Sequence, residues 1–99
     1  MPRPEALIDK ERTEALRPLL EAGWTEVSGG TAIRKEFRFK SFSQAFAWMT
    51  RAALLAEKLN HHPEWSNVYN RVDVLLTTHS SGNLTELDVR MAQGLEKFG

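Results

Sequence analysis

Two hydrophobic periodicities that no single element can hold meet at Pro63, and their collision limits the possible folds more than any other feature of the chain. From Phe42 to about Leu59 the apolar residues recur at helical spacing. Phe42, Phe46, Met49, Ala53 and Ala56 form one stripe, and Trp48, Ala52, Leu55 and Leu59 form a row beside it. From Val68 to Thr78 the chain alternates instead, with Val68, Val72, Val74 and Leu76 set against Tyr69, Arg71, Asp73 and Thr77, the pattern of a half-buried strand. Pro63 lacks a backbone donor and disfavours helical geometry at His62, so the segment Asn60 to Pro63 is expected to be the turn that leaves the helix. The stripe should pack on a sheet, and the second row should meet another helix or subunit.

The flanking elements follow from local signals. A helix is expected after Asp9, whose carboxylate can cap it, with Leu16, Leu19 and Leu20 as its apolar side, Gly23 at its end and a kink or split at Pro18. Strands are expected over Trp24–Val27 and Ala32–Phe39, joined through Ser28-Gly29-Gly30, where glycine supplies positive φ. In the second of these Ile33, Lys35, Phe37 and Phe39 share the more apolar face. Ser41 or Ser43 can cap the long helix. A short fourth strand is expected around Gly82-Asn83, after which Thr85 caps a last helix with Val89, Ala92 and Leu95 or Phe98 inward. The order α-β-β-α-β-β-α indicates an α+β domain, a four-stranded antiparallel sheet covered by helices.

At 99 residues the chain has the length of one domain. Thirteen basic and thirteen acidic side chains cancel, which gives no net pull toward phosphate backbones or anionic membranes, so neither nucleic acid nor membrane is expected as a partner. With no cysteine, disulfides, thiolate metal sites and thiol nucleophiles are excluded. No signal peptide or spanning segment is read from the sequence, and a cytoplasmic protein is expected.

The chemistry is concentrated. All three histidines, His61, His62 and His79, fall within one short stretch, and histidine is the side chain whose ordinary pKa lies nearest neutrality. Alone, each is as readily a hydrogen-bonded structural residue. Two adjacent side chains in a turn diverge, however, so one can face a pocket while the other is held elsewhere. Glu57, four residues before His61, is placed to orient an imidazole. Asp88, three residues after Thr85, has a structural use as the carboxylate of a capping box. Trp65, expected in the loop after the histidine pair, is a better pocket wall than Trp24, which opens a strand. Histidine zinc sites favour two ligands at four-residue helical spacing or along one strand, which adjacent His61 and His62 fit poorly, so no metal is assigned.

The pattern Glu57-x-x-x-His61-His62-Pro63, followed by Tyr69, His79 and Asp88, resembles the pterin-4a-carbinolamine dehydratase family, known in animals also as dimerisation cofactor of a homeodomain transcription factor. The text around it, including Trp65-Ser66-Asn67-Val68-Tyr69-Asn70, is similar too, and the likeness runs from Trp24 onward. The resemblance implies dehydration of 4a-hydroxytetrahydropterin to the quinonoid dihydropterin, without metal or redox cofactor, in the service of an aromatic amino acid hydroxylase. It implies that His61, His62 and His79 line the pterin site, with His61 and His79 as proton carriers and His62 as a binding partner. Glu57 would orient a histidine, Trp65 would bound the pocket, Asp88 would hold the loop or the start of the last helix, and Asn60 stands where family members often carry aspartate. It also implies homodimers joined at sheet edges, or homotetramers joined through helices. The competing class is a non-catalytic module of the same fold that stabilises a partner's dimer.

Overall fold

The computed structural model describes residues 5–98. Helix α1 (Asp9–Glu21) leads into strands β1 (Thr25–Val27) and β2 (Ala32–Arg38), helix α2 (Phe42–Leu59), strands β3 (Glu64–Val68) and β4 (Arg71–Leu76), and helix α3 (Glu86–Phe98). The sheet runs β1-β2-β4-β3 with every pair antiparallel. This is the expected α+β order. Among the described residues no helix is long and apolar enough to cross a membrane.

One face of the sheet carries the core. Ile33 lies opposite Leu76, Lys35 opposite Val74 and Phe37 opposite Val72, and the apolar members join Trp48, Leu84, Met91 and Leu95 in a single cluster. Lys35 sits on this face by laying its stem against the ring of Phe37, 4.7 Å from the ammonium nitrogen, which donates to Glu96 at 2.7 Å and to the carbonyl of Ala22 at 2.6 Å. The opposite face holds Arg34 paired with Asp73, and Glu36 between Arg38 and Arg71, all accessible to water.

Several expectations are corrected. The strand read over Val68–Thr78 is a hairpin: β3 begins at Glu64, a two-residue turn falls at Tyr69-Asn70, and β4 follows. No glycine marks this turn in the sequence. Tyr69 takes φ 52°, and Asn67 donates to the carbonyls of Tyr69 and Arg71 at 3.1 and 2.8 Å to hold it. Around Gly82-Asn83 there is only the isolated bridge of Thr78 to Asn83, so the fourth strand lies before His79 rather than after it. Trp65 is accordingly a residue of β3, opposite Val74 and half-buried against the core, not a loop residue. Asp9 makes no side-chain cap, and α1 remains one helix through Pro18, which sits in its last turns while Leu16 and Leu19 are buried.

On α2 the row of Trp48, Ala52, Leu55 and Leu59 meets another helix as expected, with Trp48 Nε1 donating to the carbonyl of Leu95 on α3 at 3.3 Å, but most of the stripe expected to pack on the sheet does not. Ala45, Trp48, Ala52 and Ala56 are buried, with Leu55 and Leu59 partly so, whereas Phe42, Phe46 and Ala53 of the expected stripe are exposed. Three alanines let the helix lie close on the core around one large ring, a fit that the phenylalanine side does not offer. Close approach also governs α3: a Cβ at Gly94 would fall 2.3 Å from Leu55 Cδ2. Trp48→Ala should therefore lose about 3–5 kcal/mol of stability in urea titration, while Ala53→Ser should stay within about 0.5 kcal/mol of the parent.

Candidate active site

Helix α2 ends in a paired-carbonyl lock. Asn60 N–H donates to Glu57 O at 3.2 Å and His61 N–H to Ala56 O at 3.0 Å, while Asn60 takes the left-handed conformation, φ 50° and ψ 45°. This is the Schellman arrangement, in which the second residue past the helix folds back over the last turn. It explains why His61 is only 8% exposed while its neighbour His62 stands in water. Asparagine, like aspartate, tolerates the left-handed region because its short polar side chain bonds locally. Asn60 thus has a backbone reason to occupy this position.

The imidazole of His61 meets a fully buried carboxylate. Its Nε2 lies 2.6 Å from Asp88 Oδ1, and Asp88 Oδ2 accepts from Thr78 Oγ1 at 2.7 Å and from Thr85 N–H at 2.9 Å. Thr78 spends its one hydroxyl hydrogen on Asp88, so the 2.7 Å contact between the Thr78 and Thr85 hydroxyls is donated by Thr85. Thr85 Oγ1 in turn accepts from Leu87 N–H at 3.2 Å, capping α3. Asp88 is therefore both the capping carboxylate and the partner of a histidine, one role for each oxygen. An ionised carboxylate only accepts, so neutral His61 carries its hydrogen on Nε2.

Glu57 serves the other histidine. The left-handed residue breaks the helical spacing that set Glu57 under His61, and Glu57 Oε2 instead bonds His62 Nε2. His79 opens a short 3-10 turn just past β4, its side chain 82% exposed, with Nε2 at 3.0 Å from Glu64 Oε2 on the first residue of β3. These contacts close a ring. His61 is tied through Asp88 to Thr78, the neighbour of His79, and His79 is tied through Glu64 and Pro63 back to His62. All three histidines thus gather where α2 ends, β3 begins, β4 ends and α3 starts. Among the described residues no three His, Cys, Asp or Glu side chains converge on a point that could hold a metal ion.

The family model described as Pterin 4 alpha carbinolamine dehydratase matches residues 5–98. The chain belongs to this family. A pterin-4-alpha-carbinolamine dehydratase of Drosophila melanogaster is 60% identical over 90 residues, covering 91% of this chain and 47% of the fly protein, so the chain spans about half of that relative's length. A crystal structure described as a transcriptional coactivator/pterin dehydratase from Brucella melitensis superposes with a TM-score of 0.87 at 53% identity, over 95% of this chain and 98% of that one. A pterin dehydratase-like protein described as a RuBisCO assembly factor in the alpha-carboxysome shares the fold alone, with a TM-score of 0.67 and 24% identity over 76% of this chain and 87% of that one.

Within this pterin-4a-carbinolamine dehydratase fold, the sequence signals missed Glu64 and Thr78, because no periodicity links a strand's first residue to a turn beyond the next strand. Asp88→Asn should cost about 2–4 kcal/mol by urea denaturation, since an amide cannot accept from all of His61, Thr78 and the Thr85 backbone. Asn60→Gly should be tolerated and Asn60→Val should lose about 1–2 kcal/mol, in keeping with the left-handed turn.

Proposed function

We propose that this chain is a hydro-lyase that dehydrates a 4a-hydroxytetrahydropterin to the quinonoid dihydropterin. The observation that carries the reading is the gathering of three histidines at one end of the sheet, each bonded through Nε2 to its own carboxylate. The reaction is redox-neutral. A proton is delivered to the C4a hydroxyl, the C4a–O bond breaks with its electron pair leaving as water, and a ring nitrogen gives up its proton as a C=N bond forms. Both transfers suit imidazoles working near neutral pH, and the family membership and the name borne by the fly relative support the same chemistry.

His61 and His79 carry the protons in this reading, and His62 contacts the substrate. Asp88 fixes the ring of His61 and Glu57 that of His62, Asn60 makes the turn that separates the two, and Trp65 flanks the site from β3. Such a substrate arises where an aromatic amino acid hydroxylase consumes its tetrahydropterin, and a hydroxylase is the proposed functional partner. No metal or redox cofactor takes part in the proposed reaction.

A second property is favoured by a separate observation. Phe42 and Phe46, their ring centroids 5.9 Å apart, and Leu54 leave an apolar face of α2 open to water, Phe46 with 56% of its surface exposed. This face, and not the Trp48 row, would join copies of the chain through helices into a homotetramer, beside homodimers joined at the open sheet edges β1 and β3. A non-catalytic module that stabilises a partner's dimer would use the same face, but it would need none of the histidines.

Chelator-treated protein should accelerate the decay of enzymatically generated 4a-hydroxytetrahydropterin over buffer, and no acceleration refutes the dehydratase. His79→Ala should lower kcat by about 10²–10⁴-fold with the fold intact by circular dichroism, and His61→Ala should lower kcat as far while also lowering the denaturation midpoint, because it leaves buried Asp88 without its imidazole partner. Phe46→Glu should reduce the molar mass measured by light scattering, and an unchanged mass removes α2 from the interface.

A further inference from the structure

Glu64 lies outside the motif that identifies the family, yet it holds the most exposed of the three histidines. We infer that Glu64 is the positioning residue of His79 and fixes Nδ1 as the nitrogen through which that ring exchanges its proton. The inference rests on the dehydratase reading and assigns it one further residue.

The geometry is built for this task. The backbone of His79 is anchored on both sides: Thr78 N–H donates to Asn83 O at 3.1 Å, and Gly82 N–H donates to His79 O at 3.1 Å. The side chain has no comparable packing, because 82% of its surface is open. An imidazole so exposed rotates freely and populates both neutral tautomers, which is a poor state for a group that must meet one proton in one place. Glu64 supplies what packing does not. Its backbone is held by the β3–β4 ladder opposite Leu75, and its Oε2 reaches His79 Nε2 at 3.0 Å. An ionised carboxylate accepts and cannot donate, so the neutral ring keeps its hydrogen on Nε2 and Nδ1 becomes the basic nitrogen.

The same logic is repeated at His61, where Asp88 also takes Nε2, and at His62, where Glu57 does. Three imidazoles from two segments are thus set in one tautomer by three carboxylates. Glu64, like Asp88, also joins those segments, since only Pro63 separates it from His62. Orienting partners of catalytic or ligating imidazoles are worth about 10–100-fold in activity. An exposed pair, screened by water, belongs at the lower end of that range.

The test uses the full chain labelled with ¹⁵N. Long-range ¹H–¹⁵N correlation should show neutral His79 as the Nε2–H tautomer, and E64Q should turn it into a mixture while leaving the denaturation midpoint unchanged. E64Q should lower kcat about tenfold with KM within about twofold. In an H79A background E64Q should cause no further loss, since its effect runs through the missing ring. Unchanged kcat in E64Q, an Nδ1–H tautomer in the parent, or an additive loss in the double variant would each overturn the role of Glu64. A parent protein with no dehydratase activity would instead overturn the reading on which that role rests.

Discussion

A carboxylate sealed from water must be satisfied by its neighbours, and Asp88 makes that demand at the point where three elements terminate. Left unpaired in the interior it would cost several kcal/mol. It is met by a histidine from the end of α2, a threonine just past β4 and the backbone that opens α3, and no buried side-chain nitrogen or oxygen among the described residues lacks a partner. The network is therefore high-stakes in both directions: complete, it fixes three chain segments to one another; with one member gone, it leaves charge stranded. The placement of His61 is a by-product of that closure. His61 cannot be displaced without unsatisfying Asp88, and Asp88 cannot move without uncapping α3.

How much of this was legible in the chain depends on whether the decisive interaction is local. The end of α2 at Pro63, the cap at Thr85 and the face of β2 that carries Ile33 and Phe37 are set by residues within a few positions of one another, and each was readable. Asp88 was read as a cap, and it is one. Its bond to His61 spans 27 positions and carries no local signature. Glu57 does bond an imidazole, but that of His62 and not of His61. Helical spacing does not extend to His61, two residues beyond the helix, and a single left-handed residue at Asn60 passes the glutamate from His61 to His62.

The β3–β4 hairpin illustrates a different limit. Val68, Val72, Val74 and Leu76 keep the parity of one continuous strand, yet a two-residue turn pairs Val68 with Arg71 and sends it to the open face. Parity alone cannot detect such a turn when both of its residues have side chains. What holds it is tertiary as well as local: Asn70 exchanges hydrogen bonds with Phe39, donating from Nδ2 at 2.9 Å and accepting from its N–H at 2.9 Å, which pins the hairpin to the end of β2. The two rows on α2 were likewise indistinguishable by hydrophobicity. Volume decided between them, because a helix that presents Ala45, Ala52 and Ala56 around Trp48 packs closer than one that presents two phenylalanines.

The consequence for function lies in distance along α2. Phe42 and Phe46 occupy its first turns, whereas Glu57 and the histidine turn occupy its last. Phe46 and Glu57 are eleven positions apart, which at the rise of an α-helix is about 16 Å. The phenylalanine pair and the histidine turn therefore lie at opposite ends of one helix. The Brucella melitensis structure is described both as a transcriptional coactivator and as a pterin dehydratase, and a helix with two chemically different ends gives such a fold two surfaces around one core.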